Sequence, residues 1–153
     1  MKTNNAYSED FKKIISFLEE KDLTYIIKNE NTIEVPYEIE GRRFVPTIQF
    51  NGIWLVVLAK IVPAEDLPTT DETYLLKLYK RMLVAIHKLP EINFDIDEDG
   101  AIYTSVDMRT EITDYDNFHS EFHAIPNGIK YFIINIAEEL DPKIPVKGFP
   151  EEA

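Results

Sequence analysis

The acidic run DIDEDG carries the oxygen ligands that a metal site could use. Asp95, Asp97 and Asp99 stand at alternate positions before Gly100, which copies the opening of a calcium-binding EF-hand loop. That loop closes with a bidentate glutamate at its twelfth position, where this chain has Val106. The flanking residues alternate as strands do, whereas the motif needs helices. The pattern favours a hairpin turn with solvated carboxylates, and a small metal-dependent hydrolase using the three aspartates is the alternative.

Two histidines form another candidate metal site. His119 and His123 are four residues apart, so a helix would place both imidazoles on one face, as in some zinc sites. The order HSEFH differs from the HExxH of zinc proteases because Glu121 stands midway, and no third ligand is suggested nearby. We interpret both histidines as solvent-facing neighbours of a buried helix face, and we expect no cofactor.

Motifs for covalent or phosphate chemistry are missing from the sequence. The chain has no cysteine, no GxSxG, GxGxxG or Walker pattern, and only 5 glycines. A catalytic carboxylate pair requires a defined separation and a perturbed pKa, which acidic residues in a sequence do not reveal. We therefore expect a protein that is not an enzyme.

The composition predicts one globular domain. With 153 residues, of which 44% are hydrophobic, the chain can bury a single core. Its formal net charge of -12 disfavours nucleic acids and anionic membrane surfaces as partners. The sequence has neither an apolar run approaching the ~20 residues of a membrane-spanning helix nor the apolar core of a secretion signal at its start. We expect a cytoplasmic protein.

The stretch from residue 33 to residue 61 predicts an antiparallel meander. Its three alternating runs are IEVPYEI, RRFVPTIQF and IWLVVLAKI, separated by EG and NG. Asn51 and Gly52 tolerate the positive φ angles of a two-residue hairpin. Pro36 has no backbone N–H, so its strand should lie at a sheet edge or turn the proline to an unpaired side.

The third strand of this meander is apolar on both faces. Trp54, Val56 and Leu58 point away from Leu55 and Val57, so both sides require cover. A helix of the same chain could supply the second cover. Alternatively, Trp54, Val56 and Leu58 form a partner or dimer surface, since aromatic anchors in apolar patches dominate binding. A peptide strand added at the edge of the meander is a related possibility.

Helical spacing and turn residues predict the remaining elements. Ser8 can cap a helix that runs to about Lys21, and Thr70 can cap a second one that ends before Pro90. Residues 23–28 suit either a short strand or a connecting arm. The runs INFDID and AIYTSVDM, joined by an acidic turn, predict a second hairpin.

The C-terminal region predicts an interrupted helix and a tail. Apolar positions keep helical phase from about residue 113 to residue 140, but Pro126 and Gly128 favour two pieces, at about 115–124 and 128–140. We expect a single α+β domain over residues 1–140. Residues 141–153 contain three prolines and form a tail that stays extended unless something docks it.

The predicted order of helix, three strands, helix, two strands and helix resembles the YbjN family and the type III secretion chaperones, which share one α+β fold. The resemblance covers about residues 8 to 140. Its best local match is NFDIDEDGAIYTSVDMRTEI followed by the last helical region, which looks like the acidic turn, strand and helix of those families. The interruption near Pro126 and the proline-rich tail depart from the pattern.

The resemblance implies a twisted antiparallel sheet packed with helices, commonly dimeric, without catalytic machinery and with apolar surface that binds another polypeptide. We therefore expect a non-enzymatic protein-binding domain, chaperone-like or regulatory, of the YbjN type, which forms a homodimer and has an unidentified protein partner or client. A structural subunit of a larger assembly is a further alternative.

Overall fold

A computed structural model describes residues 7–151 of the chain. The fold is α+β, and the predicted order of helix, meander, helix, hairpin and helix is confirmed. The helices are α1 (Glu9–Glu20), α2 (Glu72–Lys88) and α3 (Tyr115–Tyr131). The strands are β1 (Ile26–Asn29), β2 (Thr32–Glu34), β3 (Tyr37–Ile39), β4 (Arg42–Phe44), β5 (Thr47–Asn51), β6 (Trp54–Val62), β7 (Phe94–Ile96) and β8 (Ile102–Arg109).

Six strands form one antiparallel sheet in the order β1-β2-β5-β6-β8-β7. The longest strand, β6, lies inside the sheet between β5 and β8. Residues 26–29 turn out to be an edge strand, which answers the question that the sequence left open for this region. The hairpin predicted from INFDID and AIYTSVDM is present as β7 and β8.

Two prolines divide the first long hairpin into two parts. Val35 donates its N–H to the carbonyl oxygen of Pro46 at 2.8 Å, and beyond this point the main sheet ends. Pro36 and Pro46 cannot donate ladder hydrogen bonds, so β3 and β4 pair separately as a two-stranded sheet. Pro36 thus follows the end of β2, which lies between β1 and β5, whereas the sequence pattern places the proline within a strand, at a sheet edge or on an unpaired side.

The hairpin between β5 and β6 turns one residue later than predicted. Asn51 pairs with Trp54, so the loop consists of Gly52 and Ile53. Gly52 has a φ of 63°, as the first loop residue of a type II′ turn requires. The alternation along β6 is unaffected, and Leu55 faces the core as expected.

The last helix continues through Pro126, so the prediction of two helical pieces is wrong. Pro126 lies inside α3 and costs the helix one backbone hydrogen bond. The fully buried Phe122, Ile125 and Ile129 flank the proline and hold both halves of α3 in the core, which offsets that loss. After Tyr131 the helix widens into a π turn and ends in a 3-10 turn.

Gly128 has a packing role in α3. A Cβ atom at this position would lie 2.7 Å from the Oγ1 of Thr104, the buried threonine of β8. Glycine is therefore the residue that allows α3 to approach the sheet this closely. In the sequence alone, Gly128 favours a break in the helix.

One hydrophobic cluster joins the helices to the inner face of the sheet. The caps of α1 and α2 come from Ser8, as predicted, and from Asp71 in place of Thr70. Ile144 and Val146 from the segment after α3 also belong to the cluster, and the Phe149 N–H donates to the carbonyl oxygen of Arg43 at 2.7 Å. The described tail residues thus pack against the body of the fold.

Candidate functional site

The outer face of the main sheet exposes apolar side chains of the first half of β6. Trp54 keeps 44% of its surface accessible, and Val56 and Leu58 are half-buried. Their neighbours Leu55 and Val57, on the inner face, are fully buried. The residues that the structure describes thus cover one face of this apolar strand and leave the other partly open. We call Trp54, Val56 and Leu58 the Trp54 surface.

Polar residues border the Trp54 surface on both sides. Residues that pair directly across neighbouring strands share a face of the sheet, so the register identifies the border. On β5 it consists of Thr47, Gln49 and Asn51, and on β8 it consists of Ser105, Asp107 and Arg109. An apolar centre with a polar rim is the usual anatomy of a protein–protein interface.

Further exposed apolar residues lie at one end of this surface. Ile53 and Ile112 are 51% and 73% exposed. The backbone N–H and the hydroxyl of Thr110 both donate to the carbonyl oxygen of Ile53, at 3.0 and 3.3 Å, which fixes the β5–β6 turn beside the end of β8. Ile112 could not be singled out from the sequence, where its only signal is an apolar residue within the polar run TEITDYD.

An acidic cleft lies next to Val56. Glu91, Asp107 and Glu121 line this cavity of about 320 Å³ together with Val56. Burial raises the pKa of Glu121, and the neighbouring charges of Glu91 and Asp107 raise it further. The described residues that line this cleft include no lysine or arginine to balance these carboxylates. A cationic group placed in this cleft would be stabilised.

Two aspartates of the DIDEDG run, Asp95 and Asp97, accept hydrogen bonds within their own hairpin. Asp97 accepts hydrogen bonds from the backbone N–H groups of Asp99 and Ala101, both at 3.0 Å. Asp95 accepts from Ser105 and Asn93 on the neighbouring chain segments. Among residues 7–151, no three histidine or carboxylate side chains are grouped so that they could hold a metal ion. Asp97 therefore stabilises the β7–β8 turn, and Asp95 links β7 to β8.

The two histidines lie together on α3, at its contact with the end of α1. The rings of His119 and His123 are 4.7 Å apart, and the Lys21 Nζ lies 2.6 Å from the His119 Nδ1. Burial lowers the pKa of His123, and the charges of Lys21 and His119 lower it further. Lys21, in contact with His119, makes this a structural junction between α1 and α3 that disfavours a bound cation.

No protein-family profile matches the chain, and no curated protein matches it in sequence. No helix in the described part of the chain is long and apolar enough to cross a bilayer.

Solved structures match the fold at low sequence identity. A chain in the heterodimeric ExoU–SpcU complex of the Pseudomonas aeruginosa type III secretion system is 14% identical, with a TM-score of 0.55, over 84% of this chain and 98% of that one. The structure of the Yersinia pestis type III secretion chaperone SycH with a YscM2 fragment matches at 16% identity and a TM-score of 0.51, over 78% and 96% of the two chains. YbjN from E. coli matches at 10% identity and a TM-score of 0.54, over 79% and 89%. The chain therefore has the fold shared by type III secretion chaperones and YbjN.

Proposed function

We propose that the chain is a non-enzymatic, cytoplasmic protein-binding domain of the chaperone-like or regulatory type, and that it binds another polypeptide through the Trp54 surface. The observation that carries this proposal is the partly exposed Trp54, which begins a row of apolar side chains on β6 between polar residues of β5 and β8. Burying a tryptophan and two aliphatic side chains in an interface removes apolar area from water, which is the main driving force of association.

The structural neighbours support a binding role by analogy of fold. They include the HopA1–SchA chaperone–effector complex and SycH with its bound YscM2 fragment. A shared fold does not fix a function, so the proposal rests on the site and draws on the neighbours only for its class. The hydrolase alternative loses its basis because Asp95 and Asp97 bond within the β7–β8 hairpin.

The acidic cleft beside Val56 indicates the chemistry of the partner. An interface that covers the Trp54 surface would also reach Asp107, which borders Val56 and lines the cleft. The partner should therefore present apolar side chains to β6 and a lysine or arginine to Glu91, Asp107 and Glu121. Both a client protein and a second copy of the chain in a homodimer are compatible with this requirement.

A quantitative pull-down tests the proposal. A double variant with Trp54→Ala and Leu58→Ala should lose the partner that the tagged native chain recovers. Truncation of central anchors costs about 2 kcal/mol or more, which corresponds to roughly 30-fold weaker binding. The bound partner would be measured by mass spectrometry with matched amounts of bait.

The matched control changes two other exposed apolar residues. Ile96 and Ile134 are 44% and 42% exposed, close to the value for Trp54, so an Ile96→Ala, Ile134→Ala double variant should keep the partner. Circular dichroism and thermal melting must show that both variants are folded. A folded Trp54 and Leu58 variant that recovers the same partner in the same amount would contradict the proposal.

A further inference from the structure

Three lysines on α2 have no ionic partner in the described part of the chain. Lys77, Lys80 and Lys88 are exposed and take part in no ion pair there. The helix contains no acidic residue from Thr73 to Lys88, although the whole chain carries a formal net charge of -12. This side of α2 is therefore positively charged, opposite in sign to the net charge of the chain.

The lysines lie along a groove of about 670 Å³. The groove runs between α2 and the segment that follows α3. Apolar contacts inside it come from Val84, Ala85, Ile136 and Leu140, and its charged lining consists of Lys77, Lys80, Arg81 and Lys88 against Glu139 and Asp141. Arg81 pairs with Glu139 at 2.9 Å and links the two walls. The groove thus combines an apolar floor with an excess of positive charge.

We propose that this groove binds an acidic segment of another polypeptide, with carboxylates beside Lys77, Lys80 and Lys88 and an apolar side chain over Val84. From Lys77 to Lys88 the helix rises by about 16 Å, which matches roughly five residues of an extended chain or three turns of a helix. Val84 is 41% exposed and has area to bury. The proposal concerns a different face from the Trp54 surface and does not depend on it.

Charge complementarity favours this occupant over the others. A two-fold axis that passes through the groove would bring α2 of one copy against α2 of the other, with lysines of like sign facing each other. A nucleic acid or an anionic bilayer would meet the net charge of -12 and the carboxylates of Glu139 and Asp141. A polypeptide can place carboxylates against the lysines and neutral or basic groups against the opposite wall.

Fluorescence anisotropy with three labelled peptides tests the inference. The first peptide carries aspartate, glutamate and leucine at helical spacing, the second has lysine in place of every acid, and the third has serine in place of every leucine. The full chain should bind the first peptide best, with an affinity that falls as salt is added. A triple variant with Lys77→Glu, Lys80→Glu and Lys88→Glu should bind it at least about tenfold more weakly.

A second triple variant separates the groove from net charge. Lys28→Glu, Lys130→Glu and Lys143→Glu make the same charge change at exposed positions outside the groove, and peptide affinity should stay within about twofold of native. The inference would be overturned if both triple variants lost the same peptide affinity, or if the native chain showed no measurable peptide binding. It would also be overturned if the native chain bound anionic vesicles or a single-stranded oligonucleotide more tightly than the acidic peptide. Self-association that only the α2 variant loses, measured by sedimentation, would also overturn it by assigning the face to a second copy. The Trp54→Ala, Leu58→Ala variant should bind the peptide normally, so the failure of one site is distinguishable from that of the other.

Discussion

Replacing Phe122 by alanine should lower the free energy of unfolding by about 3–5 kcal/mol, because the change leaves a large cavity in a packed core. Phe122 is fully buried in α3. Its ring lies 5.4 Å from that of Phe118 and 6.1 Å from that of Tyr37, so it joins α3 to the small β3–β4 sheet. Since a domain of this size is stable by only about 5–15 kcal/mol, the variant should be close to unfolding.

Urea denaturation followed by circular dichroism measures this loss. Phe122→Leu should cost clearly less, because leucine refills part of the space, and Leu76→Ala on the exposed side of α2 should cost no more than about 0.5 kcal/mol. Leu76 is 70% exposed, so its truncation leaves no cavity. Equal midpoints for the Phe122→Ala variant and the native chain would show that α3 does not pack on the fold as described.

The substitution Gly128→Val should destabilise the protein by about 2–3 kcal/mol through overpacking. The new Cβ would meet the Thr104 Oγ1 at 2.7 Å, and that hydroxyl donates to the carbonyl oxygen of Asn93 at 2.8 Å. Thr104 cannot move away without losing this hydrogen bond, so α3 must shift from β8. Thermal unfolding of the purified variant measures the effect.

A neighbouring substitution in the same helix provides the control. Asn127 is exposed, and Asn127→Val places the same side chain one residue away, at a solvent-exposed position of α3. Its cost should remain within about 0.5 kcal/mol. Similar losses for the two variants would show that helix propensity, and not contact with Thr104, limits position 128.

Local sequence patterns predicted those elements of the fold whose structure depends on a single local signal. Alternation of apolar residues identified the strands, and it separated the two apolar faces of β6. The Trp54 surface was named from that alternation alone. Its exposure could not be predicted, because a sequence does not show whether a helix of the same chain lies over the second face.

The wrong predictions arose where long-range packing outweighed a local signal. Pro126 and Gly128 have the residue types of a helix break, yet both are buried within α3. Burial against the sheet offsets the missing hydrogen bond of the proline, and the glycine serves the contact with Thr104. The α2 groove also escaped prediction, because its second wall comes from residues about 50 positions further along the chain.

Fluorine NMR of the single tryptophan tests the central claim most directly. Trp54 is the only tryptophan in the chain, so 5-fluorotryptophan labelling gives one resonance, and an unlabelled partner contributes none. We predict that binding of a partner, or pairing with a second copy, moves or broadens this resonance and protects Trp54 from a soluble paramagnetic quencher. A bound complex in which the resonance stays unchanged and fully accessible to the quencher would contradict the assignment of the Trp54 surface as the binding site.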